Sequence, residues 1–192
     1  MCGGVYCGED LILGNNIPAV WSCMYSADFL RRNNLRFLAG CSSGEDIDFI
    51  TRALCRAENV IVVPECLYIY MHHAEMSSVR DNDTISKKIT RYGHNTDAQK
   101  FTAEYLAEYA KSRVLRDMAV KILMPQNVIR RLNFAAMKND RDEYNAILND
   151  GEAMRNLRRG MSFFTFRRKP EVFMKALMIM IVPGMYYRLR KI

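Results

Sequence analysis

The spacing of apolar residues changes character near residue 84. Before that point the apolar runs are short and separated by Gly, Asn and Pro. Residues 20 to 25, 59 to 63 and 67 to 71 are rich in β-branched and aromatic side chains, and their content predicts strands. Between the first two, Ile47, Ile50, Leu54 and Ala57 recur at helical spacing, which predicts a helix over residues 44 to 57. Ser26 or Asp28 is placed to start a short helix ending near Asn33, and Asn15-Asn16-Ile17-Pro18 reads as a turn. Residues 1 to 18 are Gly-rich and read as irregular. Gly8-Glu9-Asp10 echoes Gly44-Glu45-Asp46 but lacks a helix behind it and reads as chance. The strands at 60 to 63 and 68 to 71 are expected to lie near each other, with the helix packed against them.

Asp81-Asn82-Asp83 breaks the chain, and from Thr84 onward the period is helical. One stripe comprises Phe101, Tyr105, Leu106, Tyr109 and Ala110. A second comprises Val114, Met118 and Ile122 and is expected to end at Pro125. Val128, Leu132, Ala135 and Ala136 form a third; Tyr144, Ile147 and Leu148 form a fourth that stops near Gly151. The expected fold class is therefore an α/β unit over residues 1 to 83 followed by a mainly α-helical region over residues 84 to 192.

Charge sharpens this division. The net charge of +7 is the sum of −5 over residues 1 to 83 and +12 over residues 84 to 192. A basic helical region needs an anionic partner or a solvated face. It contains no RRM, KH or zinc-finger pattern, which argues against nucleic acid; an anionic membrane surface is the other candidate. At the C-terminus, Phe163, Phe164 and Phe166 precede Arg167-Arg168-Lys169. Residues 172 to 187 are apolar except for Lys175 and the Pro183-Gly184 interruption, and Arg188-Leu189-Arg190-Lys191 closes the chain. The run is short for a bilayer span. It fits a helix lying in the headgroup region or one packed on the rest of the tail.

Six cysteines stand at 2, 7, 23, 41, 55 and 66, with no C-x2-C pair, so no zinc site is expected. Residues 1 to 20 lack a secretory pattern, so the thiols read as reduced and cytoplasmic. Cys55 and Cys66 fall in apolar runs and read as core.

The candidate chemistry lies at Glu45 and Asp46, followed by Asp48. The first two sit at a helix N-terminus, where free N–H groups and the helix dipole favour negative charge. A carboxylate there can cap the helix or, held ionised, accept a proton from a substrate hydroxyl.

The flanking order is a Trp21-containing segment, a short helix ending in Asn33-Asn34-Leu35-Arg36-Phe37, and the Glu45-Asp46 helix. An apolar run with Pro64-Glu65, then Tyr68-Ile69-Tyr70 and a polar loop with His72, His73, Ser77 and Ser78 follow. Over residues 19 to 80 this resembles the C-terminal, acceptor-side half of family-2 glycosyltransferases, GT-A-type bacterial enzymes that build surface polysaccharides. The resemblance implies that residues 1 to 83 are the C-terminal part of a GT-A-like catalytic domain. Asp46 would be the general base of an inverting transfer from a nucleotide-diphospho sugar to a polysaccharide or lipid-linked acceptor. Glu45 would position the acceptor or orient Asp46. Trp21, Tyr70, His72, His73, Ser77 and Ser78 would contact substrate, the His pair standing near the family's Arg position.

The family's Mg²⁺ or Mn²⁺ is held by an Asp-x-Asp motif at a strand end in a preceding nucleotide-binding half. The strings at 46 to 48, 81 to 83 and 140 to 142 lack that context, so no metal ligand is assigned here. The expectation is a portion inactive alone, cytoplasmic or peripheral at the inner face of the plasma membrane. The alternative is a non-catalytic basic helical interaction module at the membrane surface.

Overall fold

Most of the apolar runs become helix, and of the three with strand-like composition one becomes a strand. The computed structural model describes residues 3 to 71 and 85 to 190. The N-terminal part contains β1 (Gly4–Tyr6), α1 (Gly8–Leu13), a 3-10 turn (Val20–Ser22), α2 (Ala27–Arg32), α3 (Glu45–Arg56) and β2 (Val60–Val62). The rest comprises α4 (Ile85–Tyr109), α5 (Arg113–Met118), a π-helical turn (Ala119–Leu123), α6 (Met124–Met137), α7 (Arg141–Asn149), α8 (Gly151–Gly160), α9 (Phe163–Arg168), α10 (Pro170–Ile181) and α11 (Pro183–Arg190). The expected mainly helical C-terminal region is therefore present.

The β content differs from expectation. Among the described residues the sheet is one antiparallel ladder, β1 on β2, with Gly4 opposite Val62 and Tyr6 opposite Val60. Thus the stretch at 59 to 63 is a strand as expected, while its partner comes from the Gly-rich start that reads as irregular. Residues 20 to 25 form the 3-10 turn and extended chain. Residues 67 to 71 carry no ladder and are exposed. Their aromatic content serves side-chain stacking, described below. The expected boundary at 81 to 83 lies outside the described residues.

Helix α3 forms where the periodicity places it, and Ser26 caps α2 by accepting from the Phe29 N–H. The inward face of α3 includes a charge. Asp48 and Arg52 have side chains 0 and 4 % exposed and meet at 2.6 Å. Thr102 of α4 donates to the other Asp48 oxygen at 2.8 Å, and Arg52 Nη2 donates to the Arg36 carbonyl at 2.7 Å. The guanidinium also lies over the Phe101 and Tyr105 rings. Every polar atom of the carboxylate is thus matched, which is what makes a buried pair tolerable. Ile47, by contrast, is exposed.

The Gly8-Glu9-Asp10 echo proves structural. It opens α1, whose Leu11 and Ile12 pack with Ile50, Leu54 and Cys55 of α3. A Cβ on Gly8 would sit 2.1 Å from the Leu54 carbonyl oxygen, so this contact requires glycine. Glu9 is buried and accepts from the Lys111 and Ser112 N–H groups at 2.6 and 2.8 Å, holding the chain entering α5.

The second stripe does not end at Pro125. Proline has no N–H to offer the carbonyl four residues earlier and crowds it. The chain answers with the π-helical turn and continues into α6. The carbonyl so released, Lys121 O, accepts from Thr165 Oγ1 at 2.7 Å, which ties α9 to the turn. Gly160 of α8 packs on Pro125, where a Cβ would come within 2.8 Å of the ring. Asp140, Asp150 and Ser162 cap α7, α8 and α9. The Asp140-x-Asp142 string is therefore a helix start.

The larger core gathers Leu132, Ala135, Tyr144, Leu157, Val172, Ala176, Ile179, Tyr186 and Tyr187 from α6 to α11. One face of the C-terminal apolar run is thus internal. Tyr144 Oη donates to the Pro183 carbonyl and Tyr186 Oη to Asn133, fixing a 119° bend between α10 and α11. Among the described residues no single helix is long and apolar enough to cross a membrane.

Of the thiols, Cys55 is buried as expected, but Cys66 is exposed, as is Cys7. The apolar run around Cys66 is extended chain without a ladder, so nothing covers it. Burial, reinforced by the nearby Glu9 charge, pushes the Cys55 thiol up to about 11. The folded state thus favours the protonated form.

Two outcomes follow from this packing. Arg52→Met leaves the Asp48 carboxylate buried without its cation, and urea unfolding should show a loss of about 3–5 kcal/mol; a loss under about 1 kcal/mol would mean water replaces the guanidinium. For Cys55, stability from the buried thiol is full below about pH 8.5, the unfolded value, and is lost as pH rises through 11. At pH 8 a thiol reagent should label Cys7 and Cys66 in the native protein and reach Cys55 only on unfolding; native labelling of Cys55 at the rate of Cys66, located by mass spectrometry, would contradict this.

Candidate functional site

The N-terminal end of α3 is built by three segments. Gly44 takes the left-handed conformation at φ +84° and turns the loop into the helix. Its lack of a side chain also admits α4, because a Cβ there would lie 2.8 Å from the Asn95 side-chain nitrogen. Glu45, Asp46 and Asp48 then occupy the first turn.

These three carboxylates have different fates. Asp48 is consumed by Arg52 and Thr102. Asp46 is half-buried, and one of its oxygens accepts from the Ile47 N–H at 2.7 Å. Glu45 is also half-buried, and its Oε2 is enclosed without a hydrogen-bond partner among the described residues. Asp46 is therefore the carboxylate of this turn that keeps an oxygen for outside chemistry while its side chain is oriented.

Helix α4 adds groups that the sequence pattern does not single out. His94 Nδ1 accepts from the Ser42 N–H at 3.2 Å and lies 2.8 Å from Ser42 Oγ. A backbone N–H can only donate, so Nδ1 is the acceptor and the ring proton is on Nε2 in this arrangement. Cys41 Sγ donates to the His94 carbonyl, and Arg130 of α6 donates to Asn95 Oδ1. The loop from 41 to 44 is thus fastened to α4, and a guanidinium stands behind the neighbouring asparagine. His94, Asn95 and Arg130 are more than forty residues from Gly44 along the chain. The only sequence signal for them is that His94 is one of three histidines.

On the flank of α3, Phe49 stacks on Phe37 at 4.3 Å and meets the edge of Tyr25 at 5.4 Å. Val20 packs into the same cluster, with Leu35 and Ala53. This seats the 3-10 turn so that the next residue, Trp21, stacks on Tyr70 at 5.1 Å and 16°. Two expected substrate residues from opposite ends of the segment therefore meet in one aromatic pair, and Trp21 remains 42 % exposed. Glu45 and Asp46 share the first turn of the helix; Phe49, one turn later, connects that end to the 3-10 turn carrying Trp21. His72, His73, Ser77 and Ser78 lie outside the described residues.

No group of three or more His, Cys, Asp or Glu side chains is placed to hold a metal among the described residues.

The stacked pair can be checked through Trp21, the chain's single tryptophan. Tyr70→Ala should shift its emission to the red and raise acrylamide quenching, with a stability loss of about 0.5–1.5 kcal/mol; unchanged quenching would mean that Tyr70 does not cover the indole in solution.

Compared with known proteins, the chain matches no family model, no curated protein and no solved structure.

Proposed function

We propose that residues 1 to 83 are the acceptor-side portion of a GT-A-like, inverting glycosyltransferase, with Asp46 as the general base. The observation that carries this reading is the division of labour in the first turn of α3: Asp48 is sealed by Arg52 and Thr102, while Asp46 is oriented by a backbone N–H and stays half-exposed. The acceptor hydroxyl gives its proton to the Asp46 carboxylate as its oxygen attacks the anomeric carbon of a nucleotide-diphospho sugar. The bond from that carbon to the diphosphate oxygen breaks in the same displacement, which inverts configuration and needs one base. Glu45 shapes the acceptor side of the same turn. Trp21 and Tyr70 offer a flat apolar face to a sugar ring, whose axial C–H groups favour aromatic contact. The donor's nucleotide and its Mg²⁺ or Mn²⁺ belong to the nucleotide-binding half implied by the resemblance.

The decisive measurement is turnover in a form of the protein that carries a nucleotide-binding half. Asp46→Asn keeps shape and hydrogen bonding but removes the base. Turnover should fall by roughly a hundredfold or more, while unfolding free energy changes by about 1 kcal/mol or less, the scale of a helix cap. Near-normal turnover in that variant rules out Asp46 as the base; a large stability loss would assign it to folding instead.

A further inference from the structure

Helix α10 is apolar on both sides. Its inward side is Val172, Ala176 and Ile179, all buried in the larger core. Its outward side is Met174, Leu177 and Ile181, of which Met174 and Ile181 are 54 and 67 % exposed. An ordinary surface helix alternates an apolar face with a polar one; here the solvent side is apolar as well. Helix α11 repeats the arrangement on a smaller scale. Tyr186 and Tyr187 point inward, while Met185 and Leu189, 52 and 66 % exposed, point outward. Because the two helices bend by 119°, their outward sides enclose a groove of about 590 Å³ that includes Met174, Ile181, Val182, Met185 and Leu189.

The charged residues that line this groove are cations. Lys175 and Arg190 line it. Arg167 and Arg168 of α9, Lys169 between α9 and α10, and Arg188 of α11 are exposed, and Glu171 is the single acid between residues 163 and 190. Phe163 and Phe166 are also exposed, with Arg167 lying over the Phe163 ring. The lysine and arginine stems extend apolar cover while their heads reach outward.

We propose that the outward side of α9, α10 and α11 is a docking surface for an anionic lipid bilayer. The apolar side chains of the bent pair enter the boundary between headgroups and acyl chains, and the surrounding cations meet lipid phosphates. Charge complementarity selects this occupant over a second copy of the chain. A symmetric pair joined at the groove would bring Lys175 and Arg190 toward their own counterparts, with one acid per copy to offset six cations. A bilayer supplies the missing negative charge and takes the apolar side chains without requiring a shaped partner. This inference does not depend on the glycosyltransferase reading, because none of its residues belongs to the α3 site.

The test is flotation of the full chain with vesicles of phosphatidylcholine alone or with phosphatidylglycerol added. Binding is expected on the anionic vesicles, weakening as salt rises. Arg188→Ala and Arg190→Ala should each lower the partition coefficient roughly five-fold. The triple change Ile181→Ser, Met185→Ser, Leu189→Ser should abolish binding. These three side chains are exposed, so circular dichroism and the melting profile should stay as in the parent, which separates loss of docking from loss of fold. Absent binding to anionic vesicles at low salt would overturn the proposal. So would equal binding to neutral vesicles, or unchanged partition in the triple variant. Concentration-dependent dimers in light scattering that the triple variant dissolves, without vesicle binding, would assign the groove to self-association instead.

Discussion

The buried pair of Asp48 and Arg52 is the constraint around which the N-terminal half is arranged. Both groups lie within one turn of α3, so helix geometry brings them together at no topological cost. Burying them is another matter, because each loses its hydration and must find every partner inside the fold. The partners come from far along the chain: Thr102 on α4, the Arg36 carbonyl in the loop before α3, and the rings of Phe101 and Tyr105. Moving α4 relative to α3 by the width of a hydrogen bond would leave one buried Asp48 oxygen without its hydroxyl donor. The pair therefore sets the register of the two helices, and that register places Asn95 and His94 against the loop that carries Glu45 and Asp46.

Local signals were legible in the sequence, and pairings at a distance were not. The apolar period predicts α3, and Ser26 announces α2, because both depend on neighbours within four residues. The strands expected at 20 to 25 and 67 to 71 rested on residue type alone. Val, Trp and Tyr are enriched in strands because they pack well on a half-buried surface, and here they pack without a ladder, Val20 into the Phe49 cluster and Trp21 on Tyr70. The strand that does form begins at Gly4, a residue type that argues against strand, because Val62 is available to pair with it.

The same limit applies to the site. Its acidic turn was visible as Glu45, Asp46 and Asp48, but spacing alone does not say which carboxylate is buried. That depends on Thr102, more than fifty positions away. His94 and Arg130 were missed for the same reason. Pro125 shows the reverse error: the rule that proline stops a helix is local and sound, yet tertiary contact with Thr165 and Gly160 gives the released carbonyl a partner and lets the axis run on.

The clasp between Glu9 and the chain entering α5 has a consequence for how the protein is made. Its two ends are separated by 102 residues. During synthesis Glu9 leaves the ribosome well before the amides it must satisfy. At about 5–20 residues per second, the interval is on the order of 5–20 s. Throughout it, Leu11 and Ile12 can settle on α3, but the carboxylate has no acceptor-matched donors and remains in water. The N-terminal layer is thus assembled in two instalments, apolar contacts first and the carboxylate last. Closing so long a loop adds an entropic cost that the nascent chain meets only once α5 has emerged.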